Sequence, residues 1–170
     1  MQSSPTAASG PSLALTAWVT MLAPLVAVLI KAASGGWLLV MVVWSSPLWL
    51  AGYVLLVVAA ARGMLRQQGV LREGARRTRA TLWAWLTSVG VLLFAFSVVD
   101  GGDTRESIQS TLTLALGAPI SPSAAHEVSA GIAYVAVVAW AGGWVALLVE
   151  WAVGVQRRRP VVPRVAPPTT

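Results

Sequence analysis

The chain has 170 residues, 56% hydrophobic and 11% charged, with a formal net charge of +6 and a mean hydropathy of +0.73. Soluble domains average about a quarter charged residues, so an ordinary water-exposed surface is hard to assemble from this composition. It has no cysteine and one histidine, which excludes disulfide frameworks, thiolate nucleophiles, thiolate metal sites and any bis-histidine haem within one subunit.

The charges are not scattered. No Asp, Glu, Lys or Arg occurs in 1–30, 32–61, 80–99, 107–126 or 128–149. Several of these runs exceed the roughly 18 apolar residues that argue for a spanning helix, and they are apolar all round rather than striped. The fold class expected is therefore an all-α integral membrane protein, a four-helix transmembrane bundle.

In chain order, residues 1–12 (MQSSPTAASGPS) read as a disordered tail, being small, polar and broken by Pro and Gly. Leu13–Ile30 is the first span, with Pro24 expected to kink it. It lacks the basic flank of a signal peptide, and its apolar run is longer than the roughly 7–15 residues of a signal core, so it is read as retained. KAASGG (31–36) is long enough only for a turn between antiparallel helices. The second span covers about 37–61, the third 80–99 and the fourth 130–153, giving one membrane domain over 13–155. Residues 156–170 form a basic, Pro-rich tail with no packed element.

Lysine and arginine in loops set orientation, because positive residues are retained in the cytoplasm. The loop between spans two and three carries Arg62, Arg66, Arg72, Arg76, Arg77 and Arg79, and the tail adds Arg157, Arg158, Arg159 and Arg164; the other two loops offer only Lys31 and Arg105. Both termini are thus expected in the cytoplasm, with 31–36 and 100–129 outside. Arg, Ala, Gly, Val and Pro all have GC-rich codons, and their abundance suggests a bacterial plasma membrane as the location.

The outer loop opens with VVDGGDTRES, which gathers half of the chain's six acidic residues. Asp103 and Glu106, three apart, fit the reciprocal logic of a capping box. Ile108, Leu112 and Ala115/Leu116 recur at helical spacing, and Gly117 then Pro119 makes a stop. A short extracellular helix over about 104–116 follows. Ser121 is expected as the next N-cap, with Pro122 at the first helical position. Asp100, Asp103, Glu106, His126 and Glu127 could converge on a hard divalent cation. The simpler alternative is that each acid ends or caps a helix.

Among nine tryptophans, Trp37, Trp83, Trp85 and Trp151 fall near span ends, where indoles anchor at headgroup level. Trp44, Trp49, Trp140 and Trp144 lie mid-span, where an indole N–H meets no water. In WSSPLW, Pro47 frees a carbonyl that Ser45 or Ser46 can satisfy. In WAGGW, Trp140 and Trp144 share a face while Gly142 and Gly143 let a neighbour approach. Trp44, Pro47, Trp49, Trp140 and Trp144 could line a pocket for an apolar ring or lipid tail, or simply pack against small residues. Glu150 is the one acid within a span; it is either a proton site or an ion pair with Arg157, Arg62 or Arg79.

The arginines of 62–79 suit anionic lipid headgroups or an acidic partner, each worth on the order of 1 kcal/mol near the membrane. Nucleic acid is not expected, since no aromatics interleave and no binding fold is present. Phosphate loops, nucleophile elbows and zincin motifs are absent from the sequence. The reading is a non-catalytic accessory or interaction subunit, within a larger membrane complex or self-associated, without a cofactor. Its rivals are a small carrier or pore and a membrane sensor of an apolar ligand.

Overall fold

In the computed structural model, residues 12–34, 36–101, 108–117 and 123–158 are described. They are helical with no strand among them, and four helices are long and apolar enough to cross a membrane. The helices are α1 (Leu13–Ser34), α2 (Trp37–Trp44), α3 (Ser46–Ala60), α4 (Gly74–Ser97), α5 (Thr111–Ala115) and α6 (Ala124–Arg157). A π-helical turn, Ala61–Leu65, prolongs α3. Each crossing helix satisfies its own backbone, the requirement that hydrocarbon imposes.

The interior is built on small residues. Ala17, Ala23 and Ala27 of α1 are buried with Ala84, Ser88, Val91 and Ala95 of α4. Lipid tails are as apolar as leucine, so helices associate by close packing and interhelical hydrogen bonds, which favours short side chains. Ser88 Oγ reaches Thr20 Oγ1 at 3.4 Å across that interface. The most intimate pair is α4 with α6. A Cβ on Gly90 would lie 2.6 Å from the Trp140 backbone nitrogen, and one on Gly143 would lie 2.8 Å from the Thr87 nitrogen. Gly142 has nothing near its missing Cβ. Of the WAGGW glycines, only Gly143 serves the approach.

The second span is split. Ser45 interrupts it with φ −85° and ψ 10°, and Pro47 sits in the first turn of α3, where a missing N–H costs nothing. At the end of α2 the Met41 oxygen accepts from both Ser45 N–H (2.8 Å) and Ser45 Oγ (2.7 Å), and the Val42 oxygen accepts from Trp49 Nε1 at 2.8 Å. Trp49→Phe keeps the ring and strands the Val42 carbonyl, so a loss of about 1 kcal/mol is expected in detergent unfolding. By contrast, α1 runs unbroken through Pro24.

At the arginine-rich end, the middle of the segment 66–73 is tucked into the core while its two ends are exposed. Leu71 and Met64 are fully buried and Val70 nearly so, joining Leu13, Ala17, Leu56 and Leu147 in the larger core cluster. Leu71 N–H donates to the Gly63 carbonyl at 3.2 Å. A Cβ on Gly69 would stand 2.1 Å from that same oxygen, so only glycine lets the turn close. Arg72 Nη1 donates to the Met64 oxygen at 2.8 Å, and Arg158 pairs with Glu73 and with the Gln68 carbonyl.

The opposite end differs from the sequence expectation. Residues 104–107 of the helix expected over about 104–116 lie outside the described residues; from 108 on it is helical at Thr111–Ala115, because Gln109 is extended and exchanges both backbone hydrogen bonds with Asp100 (2.9 and 3.0 Å). Its cap is Ser110, which forms a reciprocal box with Thr113, and Gly117 follows at φ 65°. The expected box at Asp103 and Glu106 lies outside the described residues. α6 starts at Ala124 behind Ser123, which is extended (φ −142°, ψ 162°); the expected cap at Ser121 and Pro122 lies outside the described residues. A hydroxyl relay ties this end together. Thr113 N–H donates to Ser110 Oγ (3.0 Å), that hydroxyl meets Ser129 Oγ (2.8 Å), and Ser129 donates to the Ser97 carbonyl (2.6 Å).

Candidate functional site

Three groupings of the residues singled out by sequence can be followed in the structure. The first is centred on Asp100. Its side chain is buried and lies 3.3 Å from Lys31 Nζ, itself only 4% exposed. Both carboxylate oxygens accept from the Leu38 N–H, at 3.0 and 2.9 Å. Asp100 therefore caps the N-terminus of α2 from 62 residues away, where a negative charge meets the positive end of the helix dipole. Gly36 makes room: its φ is 107°, and a Cβ there would lie 2.3 Å from Asp100 Oδ2. The carboxylate that reads as the exit of the third span is thus the tie between α1, α2 and α4.

The other members of the proposed cation cluster are dispersed or outside the described residues. His126 is buried, with Nε2 2.9 Å from the Ile108 carbonyl and Nδ1 2.7 Å from Ser123 Oγ. A carbonyl only accepts, so Nε2 carries hydrogen and, in the neutral ring, Nδ1 accepts from Ser123. Both nitrogens are occupied in joining the extended segment to the start of α6. Glu127 is exposed in the first turn of α6. Asp103 and Glu106 are not described, and among the described residues no three His, Asp or Glu side chains gather as metal ligands.

The second grouping is Glu150. Arg79 grips it through Nε to Oε1 at 2.6 Å and Nη2 to Oε2 at 3.3 Å, a two-pronged pair between α4 and α6. Arg79 is half-exposed and Glu150 mostly covered. Of the basic residues within sequence reach, Arg79 is the partner; Arg157 and Arg62 are exposed. Arg66 and Arg77 are exposed as well, Arg76 is half-buried beside Gly154, and Arg72 holds the Met64 carbonyl.

The third is a cleft of ≈ 310 Å³ between α3 and α6, closed on one side by α1. Trp49, Trp140 and Trp144 line it, together with Pro24, expected only as a kink, and with Gly52 and Tyr53, which the sequence had not singled out. Trp44 is absent from it, being 85% exposed, and Pro47 does not line it either. Helical phase explains the division: Trp44 lies ahead of the break at Ser45 and Trp49 behind it, so the two indoles do not share a face. Tyr53 Oη donates to the Met21 carbonyl at 3.0 Å, across the α1–α3 interface. Trp140 lies against Phe94, with ring centroids 5.8 Å apart, and packs on the small-residue cluster of α1 and α4. Trp144 packs on the larger core cluster. Of these residues, Tyr53 and Gly52 had one available signal, their i, i+4 and i, i+3 spacing from Trp49 on a single helix face.

No family model, no curated protein and no solved structure matches this chain.

Proposed function

We propose that the chain is a non-catalytic interaction subunit of a bacterial plasma membrane, crossing it four times with both termini in the cytoplasm. The observation that carries this reading is how the carboxylates are spent. Asp100 is held by Lys31, Glu150 by Arg79 and Glu73 by Arg158, each joining separate segments of the fold. Groups committed to ion pairs hold helices in place; a relay or a general base needs a group free to exchange its proton. A carrier in particular would need Glu150 to meet water, whereas both of its oxygens face Arg79.

The apolar surface supports the interaction role. α6 is 34 residues long, with 22% of its most apolar window buried inside the chain. A groove of ≈ 710 Å³ runs along α4 and α6, lined by Trp85, Val89, Gly131 and Val135 among others. Exposed Arg62, Arg66 and Arg77 lie at the other end of the reading, against anionic headgroups of the inner leaflet.

Two experiments test it. Purification from native membranes in mild detergent, through a C-terminal tag, is expected to bring down a larger protein in fixed stoichiometry; recovery alone or as a homo-oligomer sinks the proposal. The cysteine-free chain is also a clean background for orientation. A membrane-impermeant maleimide is expected to label Ala115→Cys on intact cells and Gln67→Cys only after lysis, both positions being exposed. The reverse pattern would invert the topology.

A further inference from the structure

We propose that the cleft between α3 and α6 binds a flat, uncharged ring compound bearing carbonyl acceptors on an apolar tail, the chemical class of the isoprenoid quinones. The inference is independent of whether a protein partner exists. It starts from why the cleft is open. α3 meets α6 far less closely than α4 does, and Gly52 faces the Trp144 ring with its missing Cβ at an ordinary contact distance of 3.5 Å from Cζ2. The volume, ≈ 310 Å³, is at the lower end of the roughly 300–1,000 Å³ of ligand pockets.

The polar inventory then selects the occupant. Trp140 and Trp144 lie midway along α6, and Pro24 midway along α1, so the cleft sits at a depth where water is absent. The Trp49 N–H is consumed by the Val42 carbonyl and the Tyr53 hydroxyl hydrogen by the Met21 carbonyl. The indole N–H groups of Trp140 and Trp144 have no hydrogen-bond acceptor among the described residues. The cleft is thus lined by two ring systems with unmade donors and by no charged side chain. Neither N–H is sealed off, since Thr16 Oγ1 is the one fully buried side-chain polar atom without a partner among the described residues; facing hydrocarbon, each still lacks an acceptor, and indoles normally find one. A saturated acyl chain would fill the volume and leave both donors unmade. A quinone ring supplies two carbonyl acceptors, asks for no donor or counter-charge, and lies flat against indole faces.

The test uses the full chain in lipid nanodiscs with a decyl-substituted 1,4-benzoquinone as probe. Wild type is expected to show a saturable rise in melting temperature and a saturable component of tryptophan quenching. Gly52→Leu, which fills the cleft against the Trp144 ring while leaving both indole N–H groups in place, should remove both while helicity is kept. Trp140→Phe with Trp144→Phe keeps aromatic bulk and removes the donors, and should weaken binding roughly tenfold. If that pair fails to fold, Trp144→Phe alone carries the comparison. Quenching that grows linearly with quinone and is identical in Gly52→Leu would be simple partitioning and overturns the proposal. Equal stabilisation by dodecane would show that the site reads only a tail, and overturns the carbonyl assignment.

Discussion

Replacing Asp100 with alanine is expected to destabilise the protein by about 3–5 kcal/mol, the cost of breaking a buried ion pair from one side. The Lys31 ammonium, 4% exposed, would lose the carboxylate that lies 3.3 Å from it. The Leu38 N–H at the start of α2 would lose both carboxylate oxygens at once. The asymmetry of the pair gives the sharper check. Lys31→Met leaves Asp100 still accepting from Leu38, so it should cost clearly less than Asp100→Ala. The double variant Lys31→Met/Asp100→Ala should recover part of the loss, since no bare charge remains buried. Unfolding in mixed micelles, followed by circular dichroism, reads all three. A double variant no better than Asp100→Ala would mean that the cap on α2, rather than the ion pair, carries the energy.

The second large effect is expected between neighbouring glycines of α6. Gly143→Ala puts a methyl 2.8 Å from the Thr87 nitrogen and 2.9 Å from the Trp83 carbonyl, both backbone atoms of α4 that cannot move aside singly. The helices must separate, and a loss of about 1–3 kcal/mol is expected even after the better helix propensity of alanine. Gly142→Ala meets open space, so it should be neutral or gain up to about 1 kcal/mol from propensity. The same unfolding assay distinguishes them, and equal effects at the two positions would contradict the α4–α6 contact. Gly90→Ala, 2.6 Å from the Trp140 nitrogen, should behave like Gly143→Ala.

These two cases mark the line between what could be read along the chain and what could not. The four apolar helices were legible because hydrocarbon excludes charge and demands about 20 residues of self-satisfied backbone, a local condition that the charge-free runs meet. A distortion at Pro47 was legible because a missing N–H is a property of one residue, but the same argument applied to Pro24, where α1 runs unbroken, and the split at Ser45 itself was not foreseen. Glu150 could be read as pairable, but Arg62, Arg79 and Arg157 were equal candidates until the α4–α6 packing put Arg79 beside it.

What the sequence alone determined is therefore the number of apolar helices long enough to cross, since that follows from chemistry within each charge-free run. Tertiary structure decided everything that depends on which faces meet. Asp100 finds Lys31 and the start of α2 only because α1 and α4 pack together. Gln109 leaves the expected outer helix because pairing with Asp100 holds it extended. Trp49 enters the cleft while Trp44 does not, because each residue turns about 100° around its helix and the break between them resets the phase. Periodicity fixes that phase within a helix, but the neighbour that meets each face is set by packing between residues far apart in the chain.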